Sequence, residues 1–308
     1  MEQEKGIRDG MKDQLRSYLV YLKEDRGVSP STEQSYLSDL SDFLGFADKL
    51  RVDTAADLRA RHLTAYLNEM RAQGKSPSTI ARRLAALRSF CKYLVLRRYV
   101  DVDPTLQLEA PKAERKTPNA IRAVELDKLL ELPDVGQPSG IRDRAMLELL
   151  YATGLRVSEL ASLNEEHVRL DMGFLLCLGS DGRERMVPVG ASGNQWVSRY
   201  SQEVRPKLLR PDQRETALFL NRQGSRLTRQ GIWKILKGYA GRLGMDATPQ
   251  ALRRSFASHL LENGADLRAV QEMLGMSSAA SLQPYLSAAK PRLTEVYERS
   301  HPRSGAKS

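Results

Sequence analysis

The second half of the chain concentrates groups able to handle an anion. In ATGLRVSEL, residues 152–160, Arg156 is followed three residues later by Glu159, so both share one face if the segment is helical. TPQALRRSFASHLLENGADL, residues 248–267, places Gln250 three residues before Arg253, and LGMSSAASLQPYL, residues 274–286, carries Met276 and Tyr285, one of eleven tyrosines. An arginine fork grips phosphate or carboxylate oxygens at two points and holds its charge. Taken alone, either arginine would more often serve a surface ion pair. Other chemistries are poorly supplied. Cys91 and Cys177 stand far apart, with no partner at metal-ligand spacing, and no glycine loop of the phosphate-cradling kind occurs. The histidines are His62, His167, His259 and His301. His259, six residues past Arg253, is turned about 240° from it on a helix and reads as a packing or capping residue.

Bulk charge points the same way. Lys and Arg number 48 against 38 Asp and Glu, a formal +10, which favours a polyanionic partner. Residues 71–98 hold eight of these cations (Arg71, Lys75, Arg82, Arg83, Arg88, Lys92, Arg97, Arg98) and no acid. No segment is apolar for long enough to cross a bilayer and the N-terminus is charged, so a cytoplasmic protein with no membrane partner is expected.

The elements that must position these groups are mostly helical. In the first hundred residues, helices are expected over 15–23, 30–46, 54–72 and 77–96. Two of them open on Ser-Pro-Ser-Thr, at 29–32 and 76–79, where serine caps and proline suits the first helical position. In the fourth, Ile80, Leu84, Leu87, Cys91 and Leu94 form one apolar stripe. Arg82 and Lys92 lie off that stripe and Arg83 and Arg88 flank it, which makes these four the candidate DNA contacts. A proline-punctuated linker, 106–122, divides an N-terminal domain, 1–105, from a C-terminal one, 123–308. The latter is read as helices over 124–132, 142–151, 195–205, 229–242, 249–262, 267–274 and 292–299, with a hairpin of strands 174–178 and 184–189 around Gly-Ser-Asp-Gly at 179–182. The fold class expected is mainly α with a small β-sheet, α+β.

Together, the three passages and the ending LTEVYERSHPRS, 293–304, resemble the tyrosine recombinase (phage integrase-like) family, specifically its Xer-type members. The resemblance implies an N-terminal helical core-binding (SAM-like) domain and a C-terminal catalytic-type domain, forming a C-shaped clamp on double-stranded DNA. It implies attack of a tyrosine hydroxyl on a phosphodiester, giving a 3′-phosphotyrosyl link, with no metal and no cofactor. By motif match Tyr285 is the nucleophile, Arg156 and Arg253 hold the phosphate, and Glu159 orients an arginine. It further implies a homo- or hetero-tetramer on two DNA sites, joined through the C-terminal helix.

Three family positions are occupied differently. Ser180 stands where the hairpin lysine protonates the leaving oxygen, and nearby Arg183 and Arg185 can hold phosphate but release protons too reluctantly to replace it. Gln250 replaces a histidine and can donate a hydrogen bond without shuttling a proton. Met276 replaces a histidine or tryptophan and offers no N–H. A general acid or base contributes roughly 10²–10⁴ in rate and an oxyanion donor about 10²–10³, so cleavage by Tyr285 is expected to be impaired. The alternative is a non-cleaving DNA-binding partner or architectural clamp at a recombination site; a third is a helical transcription regulator with no recombination site.

Overall fold

The computed structural model describes residues 10–111, 120–179, 182–209 and 214–276. The chain divides into two compact units, Met1–Lys116 and Thr117–Ser308. It is mainly helical with one small antiparallel sheet, the α+β class expected.

The first unit is built from α1 (Met11–Glu24), α2 (Pro30–Lys49), α3 (Ala60–Ala72) and α4 (Pro77–Leu96). The repeated Ser-Pro-Ser-Thr starts fold alike. Ser29 and Ser76 accept from the amides of Thr32 and Thr79 at 3.3 and 3.2 Å, with proline in the first turn. The α4 stripe is buried throughout, but so are Ala86, Phe90 and Tyr93, so this helix is wrapped on more than one side. Tyr18 sits fully buried against Phe90, ring centroids 5.2 Å apart, and its hydroxyl donates to Ser89 Oγ at 2.7 Å. The helix expected over 54–72 is broken. Ala55–Asp57 forms a 3-10 turn and α3 starts only at Ala60.

Two sequence expectations change here. The acids missing from 71–98 are supplied by α2: Asp39, 3% exposed, pairs with Arg82 and Arg83, and Asp42 pairs with Arg83 at 2.5 Å. Arg83, which also donates to the Tyr66 hydroxyl at 2.8 Å, is held inside its own unit. Arg88 donates to the Leu108 carbonyl, so the chain expected to be free linker from 106 is packed on this unit at Leu108. Lys92 is exposed and Arg82 half exposed.

The second unit comprises α5 (Ala123–Glu131), α6 (Pro138–Thr153), α7 (Val157–Ser162), α8 (Ala191–Arg199), α9 (Arg205–Leu208), α10 (Arg229–Arg242), α11 (Pro249–Glu262) and α12 (Leu267–Leu274). Its strands β1 (Val168–Arg169), β2 (Phe174–Leu178) and β3 (Glu184–Pro188) pair in that order, with Cys177 opposite Arg185 and Leu175 opposite Val187. α6 is buried on nearly all sides, its charged residues Arg142, Asp143 and Glu148 included. Its charges are matched: Arg142 with Asp143 at 2.8 Å, and Arg144 with Glu148 at 2.7 Å. The helix expected over 195–205 starts earlier and widens to a π segment, Tyr200–Val204, just before Pro206, which has no amide to donate.

Asp39→Ala leaves the largely buried Arg83 without one partner and should cost on the order of 3 kcal/mol, whereas Lys92→Ala should stay within about 0.5 kcal/mol. Urea melts of the two variants check this.

Candidate active site

A cleft of about 340 Å³ opens between the first turns of α7 and α11, lined by Arg156, Val157, Ser158, Pro249, Gln250, Arg253 and Arg254. It is assembled from helix ends. α6 stops at Gly154, in the left-handed region at φ 59°, and the chain turns through Leu155 to Arg156, which caps α7. A side chain at Gly154 would place its Cβ 2.4 Å from the Phe256 ring, so both backbone conformation and close packing require glycine there.

Behind the lining residue Arg156 stands Glu159, 4% exposed. Its Oε2 accepts the Arg156 amide at 2.7 Å and Arg185 Nη2 at 2.9 Å, and its Oε1 accepts Arg156 Nη1 at 2.7 Å and Arg185 Nη1 at 3.0 Å. Burial works against its negative charge, but the Arg185 guanidinium and the Arg156 amide outweigh it and hold the carboxyl below the ordinary glutamate range. Arg185 also donates from Nε to the Met273 carbonyl at 2.8 Å, tying β3 to the end of α12.

The motif arginines close on the same helix ends. Arg253, 8% exposed, donates to the carbonyls of Gly154 and Leu274, both at 2.6 Å, and Arg156 Nη2 donates to the Gly275 carbonyl at 3.3 Å. Cations at helix C-terminal carbonyls satisfy acceptors that the helix leaves open. Gly275 ends α12 at φ 58°, and a Cβ there would lie 2.9 Å from Arg185 Nη1.

Arg156, Glu159, Arg185, Gln250 and Arg253 are therefore gathered as one site. Arg185 was expected to touch DNA, yet its side chain is 12% exposed and engaged by Glu159; the signal was its place two residues before Val187, on the strand's inward side. Arg183 is exposed at the hairpin. Gln250 is exposed in the first turn of α11. Met276 follows α12, its side chain packed with the Phe256, Val270 and Leu274 cluster. His259 faces away from the cleft wall residues it follows in sequence and meets the Tyr151 hydroxyl at 3.0 Å, the packing role expected. Ser180, Tyr285 and the helix expected over 292–299 lie outside the described residues. Arg82, Arg83, Arg88 and Lys92 belong to the N-terminal unit. Among free nucleophiles, Cys177 is silenced by burial, which with the neighbouring Glu159 charge pushes its thiol up to about 12. Sequence reasoning put Arg156 and Glu159 on one helical face but gave no bounds to α7, too short for periodicity, and it missed Arg254, whose only signal was adjacency to Arg253. Among the described residues no cluster of metal-ligating side chains occurs and no helix is long and apolar enough to cross a membrane.

Residues 15–98 match the phage integrase N-terminal SAM-like domain and residues 119–292 match the phage integrase family. The chain belongs to the phage integrase family. Its relatives include the tyrosine recombinase XerD of Listeria innocua, 43% identical over 96% of this chain and 100% of that protein, and the tyrosine recombinase XerD of Oceanobacillus iheyensis, 43% identical over 94% and 98%. Those relatives set it among the Xer-type tyrosine recombinases. The fold is also that of a Tn1549 transposon integrase in complex with circular intermediate DNA (TM-score 0.74, 15% identity, 92% of this chain and 99% of that one). A lambda integrase dimer bound to a core site is similar as well (TM-score 0.71, 17% identity, 89% and 97%).

Because Glu159 is ionised in the fold at pH values where an unfolded glutamate, ordinarily near 4.5, takes up a proton, its stabilisation is full above that value. It is lost as pH falls through the lower folded value. Glu159→Gln should thus cost about 3–5 kcal/mol at neutral pH, with the gap to wild type closing under acid. A pH series of denaturant melts reads this directly.

Proposed function

We propose that this chain binds double-stranded DNA with one backbone phosphate in the Arg156–Arg253 cleft, as a tyrosine recombinase whose own strand cleavage through Tyr285 is weak. The observation that carries the reading is the cleft wall itself: two guanidiniums fixed by Glu159 and by helix-end carbonyls, with Gln250 beside them. Such preorganised donors suit an anion that gains charge in the transition state, and they need no rearrangement to act. Protons are the shortfall. Gln250 cannot carry one, Ser180 gives one up poorly, and Met276 turns its thioether into an apolar cluster.

That packing of Met276 also favours the second reading, a non-cleaving partner at a recombination site. Cytoplasmic location, assembly as a tetramer of like or mixed subunits through the C-terminal helix, and domain limits of 1–105 and 123–308 belong to the same proposal. On the N-terminal unit, Lys92, which is exposed, and Arg82, half exposed although paired with Asp39, are the contacts proposed for DNA, since Arg83 is largely buried among its partners and Arg88 donates to Leu108.

Wild-type protein on a nicked suicide substrate should yield little phosphotyrosyl complex. The combined change Ser180→Lys, Gln250→His and Met276→His should raise it by orders of magnitude, and Tyr285→Phe should abolish it. Vigorous cleavage by wild type, removed by Tyr285→Phe, would overturn the impaired reading; normal binding with no cleavage by the triple variant would leave the clamp reading. On duplex DNA, alanine at both Arg82 and Lys92 should flatten the slope of log K against log[salt] by about 0.9 per lost phosphate contact. Filter binding across a salt series measures it.

A further inference from the structure

The cleft has a third guanidinium that no family motif accounts for. Arg254 lines it together with Arg156 and Arg253, one position along α11 from the latter. Its situation differs from its neighbours'. Glu159 serves both Arg156 and Arg185, and Arg253 donates to two carbonyls. Arg254 has no ion pair or hydrogen bond among the described residues, and its Nε is buried without an acceptor. A buried N–H left without a partner is costly, and two further guanidiniums on the same cleft add like-charge repulsion. Gln250, the other polar side chain of that first turn, brings no negative charge. The local charge is therefore unbalanced on the cleft side, where a bound anion would correct it.

We propose that Arg254 is a direct ligand of the phosphate group that the cleft takes, a third arginine on the non-bridging oxygens. The proposal rests on the reading of this cleft as the phosphate site and adds to it a residue that reading does not use. Its guanidinium can offer phosphate oxygens a two-point fork, and the Nε–H, buried without an acceptor in this conformation, gains one if the group turns toward the cleft. It also supplies an N–H to an oxygen on a site where Met276 offers none. Being a permanent cation, Arg254 holds charge without shuttling protons, so it strengthens phosphate binding and leaves the proton-transfer deficit in place.

The test uses the full chain and inorganic phosphate against chloride at constant ionic strength, followed by the arginine Nε–Hε resonances; the Arg254 signal is identified by its absence in Arg254→Ala. Phosphate should shift that resonance saturably. Arg254→Ala should weaken the apparent affinity by on the order of tenfold or more, as expected for a charged hydrogen bond, and Arg254→Lys by less. In chloride, Arg254→Ala should melt at the wild-type temperature or above, because an unpartnered cation has been removed. Unchanged phosphate affinity in Arg254→Ala, with binding lost in Arg156→Ala, overturns the assignment of Arg254 and leaves the cleft as a phosphate site. A lower melting temperature for Arg254→Ala in chloride, with phosphate affinity unchanged, overturns it in favour of a structural role. Absence of saturable phosphate binding by wild type overturns the reading of the cleft, and this proposal with it.

Discussion

Everything around the cleft depends on one buried carboxylate shared by two guanidiniums. Glu159 lies in the first turn of α7, Arg156 caps that turn, and Arg185 comes from β3, so a single side chain joins a helix to the sheet. Burial alone would disfavour its charge. Four hydrogen bonds from two cations and an amide reverse that preference, and the directional pairing fixes where each guanidinium can point. Arg185 then carries the arrangement on to the Met273 carbonyl, and so to the end of α12.

The same logic explains why so much irregular backbone meets here. α6, α7, α11 and α12 all begin or end at the cleft, and helix ends leave backbone groups that need partners. Left-handed glycines at 154 and 275 stop two of the helices, and arginines take the carbonyls left open. The sequence marks these places because only glycine tolerates both the conformation and the neighbours.

Legibility followed range of interaction. The helix 77–96, the helices 229–242, 249–262 and 267–274, and the strand 174–178 could be read to the residue, since capping, period and breakers are local signals. The α3 start could not. A 3-10 turn, closed by a Thr54–Asp57 side-chain bond, interrupts a run whose periodicity looks continuous. Arg83 and Arg88 flank the α4 stripe and read as DNA contacts because the acids and carbonyl that engage them come from α2 and from Leu108, distant in sequence. In the site, Arg156, Glu159, Gln250 and Arg253 were found through motif spacing, while the bond from Arg185 to Glu159 crosses 26 positions and has no sequence signature.

The structural bonds of Arg253 change what its presence means. Its guanidinium joins the C-terminal ends of α6 and α12 from a position that is itself buried, so the residue rivets three helices whatever else it holds. Arg156, anchored to Glu159 and Gly275, is similarly built in. Gln250 lines the cleft and Met276 packs on an apolar cluster, neither of them tying helix ends together as the arginines do. Loss of either arginine would leave helix-end carbonyls open and loosen the domain. Selection for folding alone is enough to keep both.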